Sequence, residues 1–190
     1  MYLYTYICIY STYINDEVKK TEVKLEKALE HAGDSEVLDA MFDKAKVYCS
    51  TGSWGEALSA YDEIINTKKK ITSNKKIDAM CDKSRIALFN MDISKLSVLL
   101  EETKKLNDMG GDWDRRNRLK IYEALYLIAN NETKKAGSLL LECIETFTCV
   151  EICSYQSFIF YVILVNIVTL SRTDLYKKVI KNPQVIAMIG

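Results

Sequence analysis

At 190 residues the chain is one large domain or two small ones, and its 26 Lys+Arg are balanced by 26 Asp+Glu. It therefore lacks the positive excess that phosphate contacts demand of a nucleic-acid binder, while zero net charge suits a subunit held inside an assembly. With only 7 Gly and 1 Pro, against roughly 23 for average usage, it has too few turn residues to punctuate a β-sandwich or barrel, and long helices remain.

The first fourteen residues, MYLYTYICIYSTYI, are apolar and rich in tyrosine. They have no basic start and no small-residue cleavage site, so they make a poor signal peptide. They are too short to span a bilayer as a helix. Uncharged and β-prone, they are an aggregation hazard if exposed. Residues 1–15 are therefore expected to be a poorly specified N-terminal extension. Asp16 and Glu17 open a charged amphipathic stretch that runs to Ala32 and stops at Gly33, with His31 placed as a C-terminal cap. Asp34 or Ser35 is expected to cap the next helix. Its apolar residues Val37, Leu38, Met41, Phe42, Ala45, Val47 and Tyr48 recur helically until Gly52. Ser53 is the expected N-cap of a third helix lined by Ala57, Leu58, Tyr61, Ile64 and Ile65. Lys68, Lys69 and Lys70 are expected in its last turn, where cations offset the helix dipole.

Further helices are expected at about 73–90, 93–108, 113–130, 133–147, 154–171 and 173–181. The apolar run from Ser157 to Leu170 contains Asn166 and is shorter than the roughly twenty residues of a membrane span. It reads as a helix buried on most sides within a stack. Asn182-Pro183 then breaks the pattern.

Helix follows helix with short connectors, which predicts antiparallel neighbours and prompts a search for repeats. Tyr48, Gly52, Trp54, Ala57 and Tyr61 have the spacing of the central part of a tetratricopeptide repeat. The alanine is needed where two helices cross closely. Leu127, Asn131, Thr133, Ala136 and Leu140 repeat that spacing 79 positions later, two periods of about forty. An intermediate unit falls near Leu88, Asp92, Ser94 and Ser97 and matches poorly. The expected fold is all-α: a right-handed solenoid of antiparallel helix pairs, tetratricopeptide-like, over residues 16–190.

Little chemistry is nominated. Gly110-Gly111 lacks the Lys-Ser/Thr of a P-loop, and no Gly-x-Ser-x-Gly elbow occurs. The six cysteines are Cys8, Cys49, Cys81, Cys143, Cys149 and Cys153. A chain this long and apolar needs no disulfide staples, which points to a reduced, intracellular setting. The set Cys143, Cys149 and Cys153 lacks a fourth zinc ligand, and the only histidine, His31, is remote. These cysteines read as buried small apolar residues. Glu101-Glu102 with Lys104-Lys105 is a solvated helix face. Neither catalysis, a cofactor nor a metal is expected.

The densest feature is Gly110-Gly111-Asp112-Trp113-Asp114-Arg115-Arg116-Asn117-Arg118-Leu119-Lys120. The glycines end one helix, Asp112 caps the next, and Asp114 suits its dipole. Arg115, Arg116, Arg118 and Lys120 form a local basic stripe. One reading pairs them with acidic groups on a neighbouring helix. The other makes them, with Trp113, a docking surface for an acidic partner chain. Trp113 itself is expected to pack in the core.

The run GGDWDRRNRLKIYEALY from Gly110 to Tyr126 closely resembles the non-ATPase regulatory subunit 6 family of the 26S proteasome lid. DSEV at Asp34, ALFNMD at Ala87, TFT at Thr146 and LYKKVIKNPQV at Leu175 match that family in order, so the resemblance covers about 16–189. It implies stacked tetratricopeptide-like helix pairs and a non-catalytic scaffold role in the lid, serving ubiquitin-dependent protein degradation. It further implies other lid subunits as partners in a hetero-oligomer, neither nucleic acid nor membrane as a partner, and a cytoplasmic and nuclear location. The family continues into the winged-helix half of a PCI domain, and this chain is expected to be truncated before it. Two other binding roles compete: an adaptor of another PCI-type complex (the signalosome or translation initiation factor three), and a free-standing peptide-binding repeat protein. A small enzyme using Cys143, Cys149 or Cys153 is the remaining alternative.

Overall fold

The computed structural model describes the backbone of residues 2–67 and 70–189, and side chains over 12–67 and 70–188. The side chains of most of the Tyr-rich start, Cys8 among them, and the expected placement of Lys68 and Lys69 lie outside the described residues. All regular structure among the described residues is helical. The chain forms two compact units, one to Ile86 and one from Ala87.

In the first unit, α1 (Tyr2–His31) packs on α2 (Asp34–Ser50), and α2 packs on α3 (Trp54–Ile65). The body of α4 (Ser73–Phe89) joins them. The apolar residues of α2 and α3 recur every three or four positions, so each helix has one greasy stripe to bury. Phe42, Ala45, Ala57, Ala60, Tyr61, Ile64, Ala79 and Ile86 form the resulting core. Ala57 has no exposed surface, as a close helix crossing requires. Charged pairs fix the register at the margins: Lys24 to Asp43 between α1 and α2, Lys75 to Asp39 at 2.8 Å, and Lys83 to Asp62. Each contributes little on its own at such exposure.

In the second unit, α5 (Ile93–Asp108), α6 (Trp113–Ala129), α7 (Thr133–Glu142) and α8 (Tyr155–Thr169) each pack on the next. Leu96, Leu100, Leu119, Tyr122, Ala136, Leu140 and Phe158 are among its buried residues. A four-residue helix, α9 (Arg172–Leu175), a π-helical turn (Tyr176–Ile180) and α10 (Pro183–Ile189) follow.

The repeat is clearer in the backbone than in the sequence. Gly52 (φ 77°), Met91 (φ 55°) and Asn131 (φ 62°) are left-handed. After each, the next N–H donates back to a carbonyl five residues earlier: Ser53 to Tyr48 at 3.0 Å, Asp92 to Ala87 at 3.0 Å, and Glu132 to Leu127 at 2.8 Å. This is the 6→1 bond of a Schellman-type helix end. The middle unit therefore starts at Ala87, one position before the expected Leu88, and its equivalents are Met91, Ile93, Leu96 and Leu100. Leu96 and Leu100 are buried where Ser97 was expected to lie in register. The motif was hidden because methionine occupies a position that normally takes glycine or asparagine.

That substitution has a measurable cost. A left-handed non-glycine residue is strained by about 1–2 kcal/mol. Met91 is exposed and has no packing to lose. Met91→Gly is therefore expected to stabilise the chain by about 0.5–1 kcal/mol after glycine's extra unfolded-state entropy. A rise in urea midpoint at unchanged m-value checks this.

Several expected boundaries move. α1 starts at Tyr2, ahead of the expected Asp16. Gly33, not Asp34 or Ser35, holds the N-cap position of α2, and both of those residues lie inside the helix. Ser53 is at the N-cap of α3 but makes no side-chain capping bond. α3 ends at Ile65 with Asn66 as its C-cap, so Lys70 is beyond its last turn. α7 stops at Glu142, short of 147, because the connector that follows is itself packed. Cys143, Ile144 and Cys149 are buried, Phe147 stacks on Phe158 at 4.5 Å, and the Tyr155 hydroxyl donates to the Ile144 carbonyl at 2.9 Å. Asn182-Pro183 interrupts the chain but also begins α10. The Asn182 side-chain oxygen accepts from the Gln184 N–H at 2.9 Å, and proline is well suited to the first helical position.

α8 departs furthest from expectation. Instead of being buried on most sides, it buries Phe158, Ile159, Val162 and Asn166 and exposes a second apolar face.

Candidate docking surface at the start of α6

The α5–α6 turn is built by sterics. The Gly111 N–H donates to the Asn107 carbonyl at 2.7 Å. A Cβ at position 111 would stand 1.7 Å from the Asn107 side-chain oxygen and 2.9 Å from its Cα, so only glycine fits. Asp112 follows in an extended conformation (φ −77°, ψ 172°) and caps α6, its carboxylate accepting from the Arg115 N–H at 3.0 Å. That N–H, with the Arg115 guanidinium adding to it, holds the Asp112 carboxyl below its usual range against the opposing effect of desolvation. Asp114 lies in the first turn, at the positive end of the helix dipole.

Trp113 does not pack in the core: it is 63% exposed. Its helix face continues through Arg116 and Lys120, three and seven residues on, while the buried stripe of α6 runs through Asn117, Leu119, Ile121, Tyr122, Ala124 and Leu127. The tryptophan thus stands at the helix start on the solvent side. Met109, on the other side of the Gly110–Gly111 turn, is 83% exposed.

The basic residues separate into two groups. The Arg115 guanidinium turns back to Asp112. Arg118 donates through Nε at 2.9 Å and Nη2 at 2.7 Å to one carboxylate oxygen of Glu151, in the α7–α8 connector. The Cys149 thiol at 3.3 Å and the Tyr122 hydroxyl at 3.5 Å approach the same oxygen. Burial would raise the Glu151 carboxyl, but a backbone N–H, the charge and hydrogen bonds of Arg118 and the Cys149 thiol together hold it below its ordinary value. Lys120 meets Glu142 at the end of α7 at 3.1 Å. Arg116 is exposed, with no ion pair among the described residues. Of the five sequence-predicted docking residues, Trp113 and Arg116 therefore face outward unpaired, while Arg115, Arg118 and Lys120 serve intramolecular pairs. Sequence reasoning missed Glu151, whose partner lies 33 positions away. No periodic signal links such a pair.

Cys143 and Cys149 are buried, Cys49 and Cys153 half-buried, and all are free thiols. Burial pushes the Cys143 thiol up to about 11, and burial with the Glu151 charge raises Cys153. A thiol so shifted is mainly protonated near neutrality and a poor nucleophile. Among the described residues, no cluster of His, Cys, Asp or Glu is arranged to hold a metal, and no helix is long and apolar enough to cross a membrane.

Helices joined by Schellman-type turns define an all-α helical-repeat protein. Sequence comparison gives the family. The profile of 26S proteasome subunit RPN7 matches residues 11–178. The chain is 37% identical over 177 residues to 26S proteasome non-ATPase regulatory subunit 6 of Oryza sativa subsp. japonica, covering 93% of this chain and 45% of that protein. The Arabidopsis thaliana homolog is 38% identical over 175 residues, covering 92% and 45%. Regulatory subunit RPN7 of Saccharomyces cerevisiae is 32% identical over 177 residues, covering 93% and 39%. The chain belongs to the RPN7 family of 26S proteasome subunits. It spans less than half the length of these curated relatives.

Proposed function

We propose that this chain is a non-catalytic scaffold subunit of the lid of the 26S proteasome regulatory particle, supporting ubiquitin-dependent protein degradation through contacts with other lid subunits. The observation that carries the reading is the exposure of Trp113. A tryptophan on the solvent side of a helix start, beside an unpaired arginine, has the composition of a binding hot spot and no role in the core. The names of the relatives supply the assembly, and two of the three cited are called non-ATPase subunits. The same reading implies a hetero-oligomer, no nucleic-acid or membrane partner, and a cytoplasmic and nuclear location.

The test is co-purification of the tagged chain with recombinant lid subunits. Wild type is expected to recover at least one. Trp113→Ala combined with Arg116→Glu is expected to weaken recovery by about tenfold or more, because hot-spot residues each contribute on the order of 2 kcal/mol. Both side chains are exposed, so the thermal midpoint should not move. Recovery of no lid subunit by the wild-type chain would refute the reading.

A further inference from the structure

We draw no further inference here: the strongest candidate, the exposed apolar face of α8 formed by Phe160, Tyr161, Leu164, Ile167 and Val168, carries nothing because nothing in the structure shows what covers it.

Discussion

Tyr61→Ala is expected to destabilise the chain by about 3–5 kcal/mol, the range for removing a large aromatic from a packed core. Tyr61 has no exposed surface, and its ring meets Phe42 edge-on at 6.3 Å between centroids. It stands at the crossing of α2 and α3 with Ala45, Ala57, Ile64 and Ile86. Helices on both sides are held by their own hydrogen bonds and cannot collapse fully into the void, so the cavity remains after truncation. The hydroxyl contributes much less. It meets the Cys49 thiol, a weak donor at 3.8 Å, and the buried Asp82 carboxylate, so Tyr61→Phe should cost about 1–2 kcal/mol. Urea unfolding followed by far-ultraviolet circular dichroism and by fluorescence of Trp54, which packs against this cluster, measures both. A loss under about 1 kcal/mol for Tyr61→Ala would contradict this account of the core.

Arg118→Ala should cost about 2–3 kcal/mol. The Arg118 and Glu151 side chains are 17% and 19% exposed, so the pair lies between a surface ion pair and a sealed one. The expected loss is accordingly set below the 3–5 kcal/mol of a fully buried pair with one partner removed. Most of that loss is the penalty for leaving Glu151 half-buried against Cys149 without its counter-charge. Removing both charges, as in Arg118→Ala with Glu151→Ala, should cost less than the two single losses added together, with a coupling of about 1–2 kcal/mol.

Acid titration gives an independent reading of the same pair. The folded-state value of Glu151 lies below its ordinary 4.5. Its ionisation therefore stabilises the fold fully above that ordinary value, and the contribution is lost as pH falls through the lower folded value. Wild type should exceed Glu151→Gln in stability at neutral pH and converge on it only once pH has fallen through the lowered folded-state value. A difference that grows on acidification would show that Glu151 is not held ionised by Arg118.

Much of the fold could be read from the residues in order. Periodic burial located α4, α5 and α6 almost to the residue, because apolar residues every three or four positions leave a helix one face to hide. Asp112 was legible as a cap because it immediately precedes an acidic first turn, and its bond to the Arg115 N–H is local. The repeat was legible at Gly52 and Asn131, whose residue types tolerate a left-handed backbone, and illegible at Met91, whose type does not advertise one. The docking stripe was half legible. Its composition was plain, but which cation is free depends on where Glu151 and Glu142 come to rest.

The amino-acid order by itself determined an all-helical chain, the places where its helices turn back and the family it resembles, because these follow from interactions a few residues long or from a specific motif. Packing alone decided that Trp113 faces solvent, that Arg118 is committed to the α7–α8 connector, and that α8 shows water a second apolar face. Each of these depends on which of two chemically similar helix faces a distant segment covers, and a helix apolar all round, such as α8, carries no local mark of that choice.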